Sequence, residues 1–388
     1  MKTYKIITLG ASGAGKTVFM ASMFKALSIQ GTHGFYLEVE DHNKRKLLNS
    51  IYTQVIKGDS WPQGTKYSEV SEWTFTCRVK TPSLDDYPAC QFTYFDYAGG
   101  RLTDVDEDEE FEGLVKQADA ILGLLDGQKI HAWMTGSNEL AADSFLNKDL
   151  PSILKLMLSC KVPIHFALSK WDLLENEFSL NQVLDRLCEI PKFEQLVRDR
   201  NKAGSPVRLI PVSSVGLSFV TPAPDGSMKK ISGAIPRPFQ VEVPLACVLP
   251  DHLTAWLNQV SQKREQLETK DKDPKQPNII TMLLNWAEPV INTATEIGTK
   301  NLNLEGESSD PDTLNETIAK KLVSNLIKFA FQNIKKAADE RAKLTREQIN
   351  ESLKNVKDEE TALTHAIENF LYIQHTLSQT YPQSEIIL

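Results

Sequence analysis

Cysteine is sparse and unpatterned in this 388-residue chain: five residues, Cys77, Cys90, Cys160, Cys188 and Cys247, with no C-x-x-C spacing. The odd count and the scatter argue against a disulfide framework or a zinc site and fit a reducing compartment. The seven histidines are equally dispersed, with no H-E-x-x-H or related spacing, and read as structural or surface residues. No apolar run approaches the ~20 residues that a membrane-spanning helix needs. The start, Met1-Lys2-Thr3-Tyr4-Lys5, leads into neither an apolar segment nor a small-residue cleavage site, so a signal peptide is not expected and a cytoplasmic location is. Basic excess is also missing. The net charge is -8 and the pI near 5.5, the wrong balance for a surface that tracks nucleic-acid phosphates. What remains is a chain that is 41% hydrophobic and long enough to bury one large core and more.

The feature that is present is Gly10-Ala11-Ser12-Gly13-Ala14-Gly15-Lys16-Thr17, after the strand-like run Tyr4-Lys5-Ile6-Ile7-Thr8-Leu9 and before an amphipathic stretch. Strand, G-x-x-x-x-G-K-T and helix together are the context of a phosphate-binding loop; the bland alternative is an ordinary Gly-rich turn. In the first reading the backbone of Gly10, Ser12, Gly13, Ala14, Gly15 and Val18 faces phosphate oxygens at a helix N-terminus. Lys16 supplies a point charge, and the Thr17 hydroxyl is a ligand for Mg²⁺.

Such a loop calls for a threonine that closes on Mg²⁺ and the terminal phosphate, a metal-directed aspartate and a base-reading segment, each at a strand end. Thr65, in Trp61-Pro62-Gln63-Gly64-Thr65, precedes an alternating strand with Trp73, Phe75, Cys77 and Val79 on one face and Thr74, Thr76, Arg78 and Lys80 on the other. Asp96 follows the run Phe92-Thr93-Tyr94-Phe95, where it can hold Mg²⁺ through water, and Gly99 lets the backbone approach the γ-phosphate. The run Ala120 to Leu125 is a third strand, and Asp126-Gly127 after it reads as a turn. A fourth strand, Val162 to Leu168, ends in Ser169-Lys170-Trp171-Asp172. The Asp172 carboxylate can accept both the N1–H and the exocyclic amine of guanine, with the Lys170 stem across the ring; the competing role is a cap for a helix starting at Leu173. Val207 to Val212 then leads to Ser213-Ser214-Val215-Gly216, whose backbone N–H can meet guanine O6.

On these segments, in this order across residues 5 to 216, the chain resembles the Ras-like, translation-factor-related class of GTPases. The W-P-x-G-T segment, the extra strand and helix around Phe35 to Val39 and the Pro244-Leu245 stretch are most similar to bacterial GTPases of the double-GTPase and conflict-system type. The resemblance implies an α/β fold, a P-loop NTPase G domain with a mostly parallel central sheet and helices on both faces, binding GTP or GDP with Mg²⁺. It also implies a switch that signals through its loops to a protein effector or activator. Three departures stand out. Ser12 replaces a common glycine, Ser169 replaces Asn or Thr and weakens a bond to the Gly-rich loop, and Gly100 stands where a water-orienting glutamine is usual. Lys16, Thr65, Gly99 and Arg101 are then the catalytic candidates, with slow intrinsic hydrolysis. Arg101 is an internal arginine finger or, among Asp104, Asp106, Glu107, Asp108, Glu109 and Glu110, a solvated ion pair.

The expected organisation is a G domain over 1–260, a charged linker or exposed helix end over 261–277, and a C-terminal all-helical domain over 278–388. Helices are expected over 278–299, from about Pro311 with Leu314, Ile318, Leu322 and Leu326 in a stripe, and near Asp358 to Ser378 with Leu363, Ile367, Phe370 and Leu371. The basic run Lys335, Lys336, Arg341, Lys343 and Arg346 alternates with Asp339, Glu340 and Glu347, as on a solvated bundle face rather than a membrane contact. A dynamin-like mechanochemical GTPase with the helices as a stalk, a GTP-locked scaffold, a P-loop ATPase and oligomer formation stay open as alternatives.

Overall fold

Tyr4, Ile6, Ile7 and Leu9 are all buried, so the first strand, β1 (Thr3–Gly10), lies inside the molecule with both faces covered. A strand of this kind belongs to a parallel sheet clad by helices on either side. The structure, a computed structural model, describes residues 1–58, 60–62, 70–97, 113–114, 117–158, 160–222, 228–268 and 352–388. Its elements follow as α1 (Lys16–Leu27), β2 (Tyr36–Glu38), α2 (His42–Lys57), β3 (Val70–Lys80), β4 (Asp86–Tyr97) and β5 (Ala120–Asp126). Then come α3 (Gly127–Thr135), α4 (Glu139–Ser144), α5 (Leu150–Leu158), β6 (Ile164–Ser169), α6 (Leu180–Cys188), α7 (Pro191–Lys202) and β7 (Val207–Pro211). A hairpin of β8 (Val220–Pro222) and β9 (Met228–Lys230), the long α8 (Val243–Glu268) and α9 (Glu359–Thr380) complete them.

Seven strands form one sheet in the order β2-β3-β4-β1-β5-β6-β7. The pairs β2–β3 and β3–β4 are antiparallel, and the other four are parallel. Alternate residues of the central strands feed two separate cores. Ile6, Leu122, Leu124 and Ala167 point to one layer, whereas Ile7, Leu9, Ile121, Leu125 and Phe166 point to the other. The strand order reverses beside β1: on one side the chain starts at the edge with β2 and comes inward through β3 to β4, and on the other it builds outward through β5, β6 and β7. Loops at the carboxyl ends of β1 and its neighbours therefore border one crevice, where open α/β sheets take ligands. On β3 the expected apolar face is buried, but Thr76 on the opposite face is buried as well, because its hydroxyl accepts from Gln91 and donates to Glu40.

The described C-terminal residues belong with the sheet. Residues 352–388 group with Thr3–Ala255 in one compact unit. Helix α9 starts where its sequence signal placed it, with Asp358 capping the Thr361 N–H and the Thr361 hydroxyl answering the Asp358 N–H. Its apolar stripe lies on the sheet: the Phe370 ring meets Phe35 at 4.9 Å and Phe92 at 5.9 Å, both edge-on. Past α9, the Ile386 N–H donates to Val207 O on the outer edge of β7, and Asn201 holds Ile386 O and the Leu388 N–H. These are contacts between residues far apart in sequence, which periodicity cannot show. Within the charged stretch over 261–277, expected as a linker or an exposed helix end, α8 runs on to Glu268. Residues 262–268, Gln-Lys-Arg-Glu-Gln-Leu-Glu, are strong helix formers despite their low apolar content. The helices expected over 278–299 and from Pro311 lie outside the described residues.

A buried ion cluster fastens this unit together. Asp251 on α8 receives two bonds from Arg208 on β7, at 2.6 and 2.7 Å, one contact from His165 on β6 at 2.9 Å, and one from Gln374 on α9 at 2.8 Å. Burial opposes the charge of Asp251, but the Arg208 guanidinium and the His165 bond hold its carboxyl well below the usual carboxylate range. Losing one partner of such a pair strands the other charge in the interior. Register also brings Cys77 and Cys90 directly opposite each other on β3 and β4, an adjacency their spacing did not show; both are free, buried thiols.

Two outcomes follow for the C-terminal helix. Phe370→Ala should lower unfolding free energy by about 3–5 kcal/mol in urea titration, the cost of an aromatic cavity; a helix in a separate domain would leave the α/β unit unaffected. Burial pushes the His365 imidazole down to about 4, against the Gly34 carbonyl that it meets at 3.2 Å. The unfolded chain takes up that proton near pH ~6.5, so the contribution is complete above that pH and is lost as pH falls toward 4. Denaturation at pH 7 and pH 4.5 should show a loss of up to about 3 kcal/mol that His365→Gln removes.

Candidate functional site

The loop between β1 and α1 is shaped by two glycines in left-handed backbone, Gly13 at φ +86° and Gly15 at φ +89°. Gly10 has a tight neighbour: a Cβ there would lie 3.1 Å from both the side chain and the carbonyl of Leu124 on β5. Gly15 occupies the N-cap of α1 and offers no side chain to the first turn, so the helix opens into the loop uncapped. Lys16 folds back over that opening. Its Nζ donates to Gly10 O at 2.6 Å and reaches Ala11 O at 3.5 Å, and the residue is only 7% exposed. Burial lowers the ammonium pKa, and the charge of Asp96 works in the opposite direction. Asp96, 1% exposed, stands near the end of β4 in register with Thr8 on β1. A buried cation beside carbonyls and an uncapped helix start is a place for an anion.

Among the other expected loop residues, Ser12 and Gly13 are exposed, Ala14 is buried and Thr17 lies in the first turn of α1. Val18 engages the loop by its backbone alone. Its side chain packs against Val55, Val215 and Phe219, so only its backbone is available to the loop. Thr65, Gly99, Gly100 and Arg101 lie outside the described residues.

The second half of the site forms at the ends of β6 and β7. Ser169, the last residue of β6, sets its hydroxyl 2.9 Å from Ala14 O in the Gly-rich loop and 2.9 Å from Leu125 O at the end of β5. The bond expected to weaken on replacement by serine is therefore made, with one proton between two carbonyls. Trp171 N–H donates to Val212 O and Val212 N–H to Leu168 O, which ties the two proposed base-reading segments to each other. The segment after Lys170 is one turn of 3-10 helix, Trp171–Leu173, with Asp172 in its middle. Asp172 thus does not cap a helix starting at Leu173. Its Oδ1 is buried and has no hydrogen-bond partner among the described residues. Burial raises the pKa of this carboxyl, against the Ser213 hydroxyl, its own N–H and the Lys170 charge. A ligand that gave it two N–H donors would favour the ionised form.

Around the loop after β7, the Ser213 N–H is taken by Phe239 O and the Gly216 N–H by Ser213 Oγ. The N–H groups of Ser214 and Val215 carry no such bond among the described residues and remain available to a carbonyl oxygen. Gly216 sits at φ +90°, where a Cβ would be 2.1 Å from Arg237 O, so this loop conformation requires glycine.

Asp126 and Gly127 are not the turn that their sequence suggested. Asp126 ends β5 and caps α3 through the Gln128 N–H at 3.0 Å, while its carboxylate oxygens hold the Lys170 ammonium at 2.8 and 2.9 Å. A Cβ on Gly127 would fall 2.2 Å from Ser169 O. The signal for this role was present: Asp126 terminates an apolar strand, as Ser169 terminates the adjacent β6. Sequence reading also missed a clamp next to Trp61, whose Nε1–H donates to Met228 O on β9 while the Lys230 ammonium lies 5.0 Å over its ring.

Among the described residues no group of three or more His, Cys, Asp or Glu side chains could by itself cage a metal ion. One hydroxyl, Thr17, and one buried carboxylate, Asp96, fit instead the sparse donor set of a Mg²⁺ that takes its other ligands from phosphate and water. No helix among the described residues is long and apolar enough to cross a membrane. A scan against protein-family models gave no match, and neither did a search of curated proteins.

Gly127→Ala should cost about 1–3 kcal/mol in chemical denaturation, because its Cβ meets a backbone carbonyl rather than a side chain that can turn away. Gly136→Ala, at the open C-terminus of α3, meets no neighbouring atom and should lose less, limited to the strain of its positive φ.

Proposed function

We propose that this chain is a P-loop G domain with a helical appendage that binds GTP and GDP with Mg²⁺ and hydrolyses GTP slowly. The observation that carries the reading is the pairing of two halves across one hydroxyl. A buried Lys16 at an uncapped helix start lies on one side of Ser169, and Asp172, with a buried oxygen awaiting a donor, lies on the other. Phosphates at the first half accept from the loop backbone and from Lys16. At the second half the N1–H and exocyclic amine of guanine donate to Asp172, its O6 accepts from Ser214 or Val215, and the Lys170 stem covers the ring. Adenine has no such edge, and it would leave the buried carboxylate unsatisfied.

Thr17 and Asp96, with Thr65, are the residues that would hold Mg²⁺, which when bound neutralises charge on the β and γ phosphate oxygens. The reaction is in-line attack of water on the γ-phosphoryl group, with cleavage of its bond to the β-phosphate oxygen to give GDP and phosphate. With Gly100 in place of a water-orienting side chain, turnover depends on Arg101 or on an activating protein. Residues 65 and 96–101 are the segments through which nucleotide state would reach a protein partner. Gly100 also favours a second reading, a GTP-locked scaffold, which predicts bound GTP with no phosphate release.

Competition titration with GTP and ATP in Mg²⁺ tests the assignment. GTP should bind roughly 100-fold or more tightly than ATP, as two hydrogen bonds to a carboxylate imply. Asp172→Asn should abolish that preference; equal affinities in the unmodified protein would overturn it.

A further inference from the structure

Lys170 has an unusual backbone and a specific tether. It adopts φ +54°, left-handed for a residue with a long side chain, in a chain whose other described non-glycine residues of positive φ are Leu84 and Gln240. Such a conformation persists where the surroundings over-determine it. Here they do so from two directions. The Gly127 backbone lies against the Ser169 and Lys170 peptides, so closely that a Cβ would come within 2.9 Å of Lys170 O. At the far end of the side chain, both carboxylate oxygens of Asp126 grip the ammonium, and Gln128 Oε1 approaches it at 3.4 Å. Asp126 is 5% exposed and itself fixed by the Gln128 N–H and by its place at the end of β5, in register with Ser169. Lys170 is therefore held at its backbone and at its ammonium, with the four-carbon stem stretched between.

We propose that Asp126 is a positioning residue of the base site: by anchoring the ammonium it holds the Lys170 stem as a fixed apolar platform for the purine face. The proposal rests on the guanine reading above for where the ring lies, but not for which purine it is. A free lysine side chain has many rotamers, and immobilising it on binding costs affinity; the tether removes that cost beforehand. It also keeps the ammonium from turning to Asp172, two residues away, whose carboxyl already feels the Lys170 charge.

Asp126→Asn separates the two roles of this residue, since asparagine caps a helix as well as aspartate does but carries no charge for the ammonium. Lys170→Met reaches the same pair from the other side, keeping an apolar stem without its anchor. Competition titrations with GTP, ITP and ATP should show each variant about three- to tenfold weaker for the purine nucleotide that the unmodified protein binds. The ratio of GTP to ITP affinity should be unchanged, because the platform touches the ring face and not the C2 edge. The double variant should be no weaker than either single one. Variants within twofold of the unmodified protein, effects that multiply in the double variant, or a collapsed GTP to ITP ratio would overturn the role of Asp126. Unmodified protein that binds ATP as well as GTP would overturn the guanine assignment instead, and the Asp126 comparison would then be read on ATP.

Discussion

One hydroxyl, on Ser169, joins the three loops on which the site depends. It lies 2.9 Å from Ala14 O in the Gly-rich loop and 2.9 Å from Leu125 O where β5 ends, and it is itself the last residue of β6. Parallel pairing places these groups side by side at one rim of the sheet, where strand order reverses and a crevice opens. Because the hydroxyl is buried, its bonds are made without competition from water, and losing them would strand two carbonyls. The spacing between the buried Lys16 ammonium and the buried Asp172 oxygen is set through this junction. Asp126 reinforces it by joining the β5 end, the start of α3 and Lys170 through a single carboxylate.

The far end of the sheet is secured differently. Arg208, His165 and Gln374 converge on Asp251, which draws together two strands, α8 and α9 in the interior. Four elements distant in sequence thus meet at one carboxylate. Such a cluster is weak evidence for net stability but strongly penalises the removal of one partner. Together with Phe370 between Phe35 and Phe92, it makes the last residues of the chain part of the sheet's cladding.

Much of this was legible in the residues themselves, for local reasons. Strand-like runs revealed β1, β5 and β6; the Gly10 to Thr17 spacing revealed the loop; the stripe of Leu363, Ile367, Phe370 and Leu371 revealed α9. What was hidden was long-range. Nothing around Phe370 says that its ring lies on β4, and nothing around Cys77 says that Cys90 faces it. Asp126 was misread because an Asp-Gly pair is an ordinary turn signal, and only the position of Lys170 shows its second function. The extension of α8 to Glu268 takes up one of the two readings of that charged stretch, an exposed helix end, as the helix propensity of its residues allows.

On the proposed reading, the Gly-rich loop and the two base-edge segments are halves of one guanine-nucleotide site. Hydrogen–deuterium exchange of the full chain with Mg²⁺ and a non-hydrolysable GTP analogue tests this most directly. Residues 10–17, 169–172 and 213–216 should be protected simultaneously, with the corresponding ATP analogue failing to protect the latter two at equal concentration. Protection absent from residues 169–172 and 213–216 with the GTP analogue, or identical with both, would contradict it.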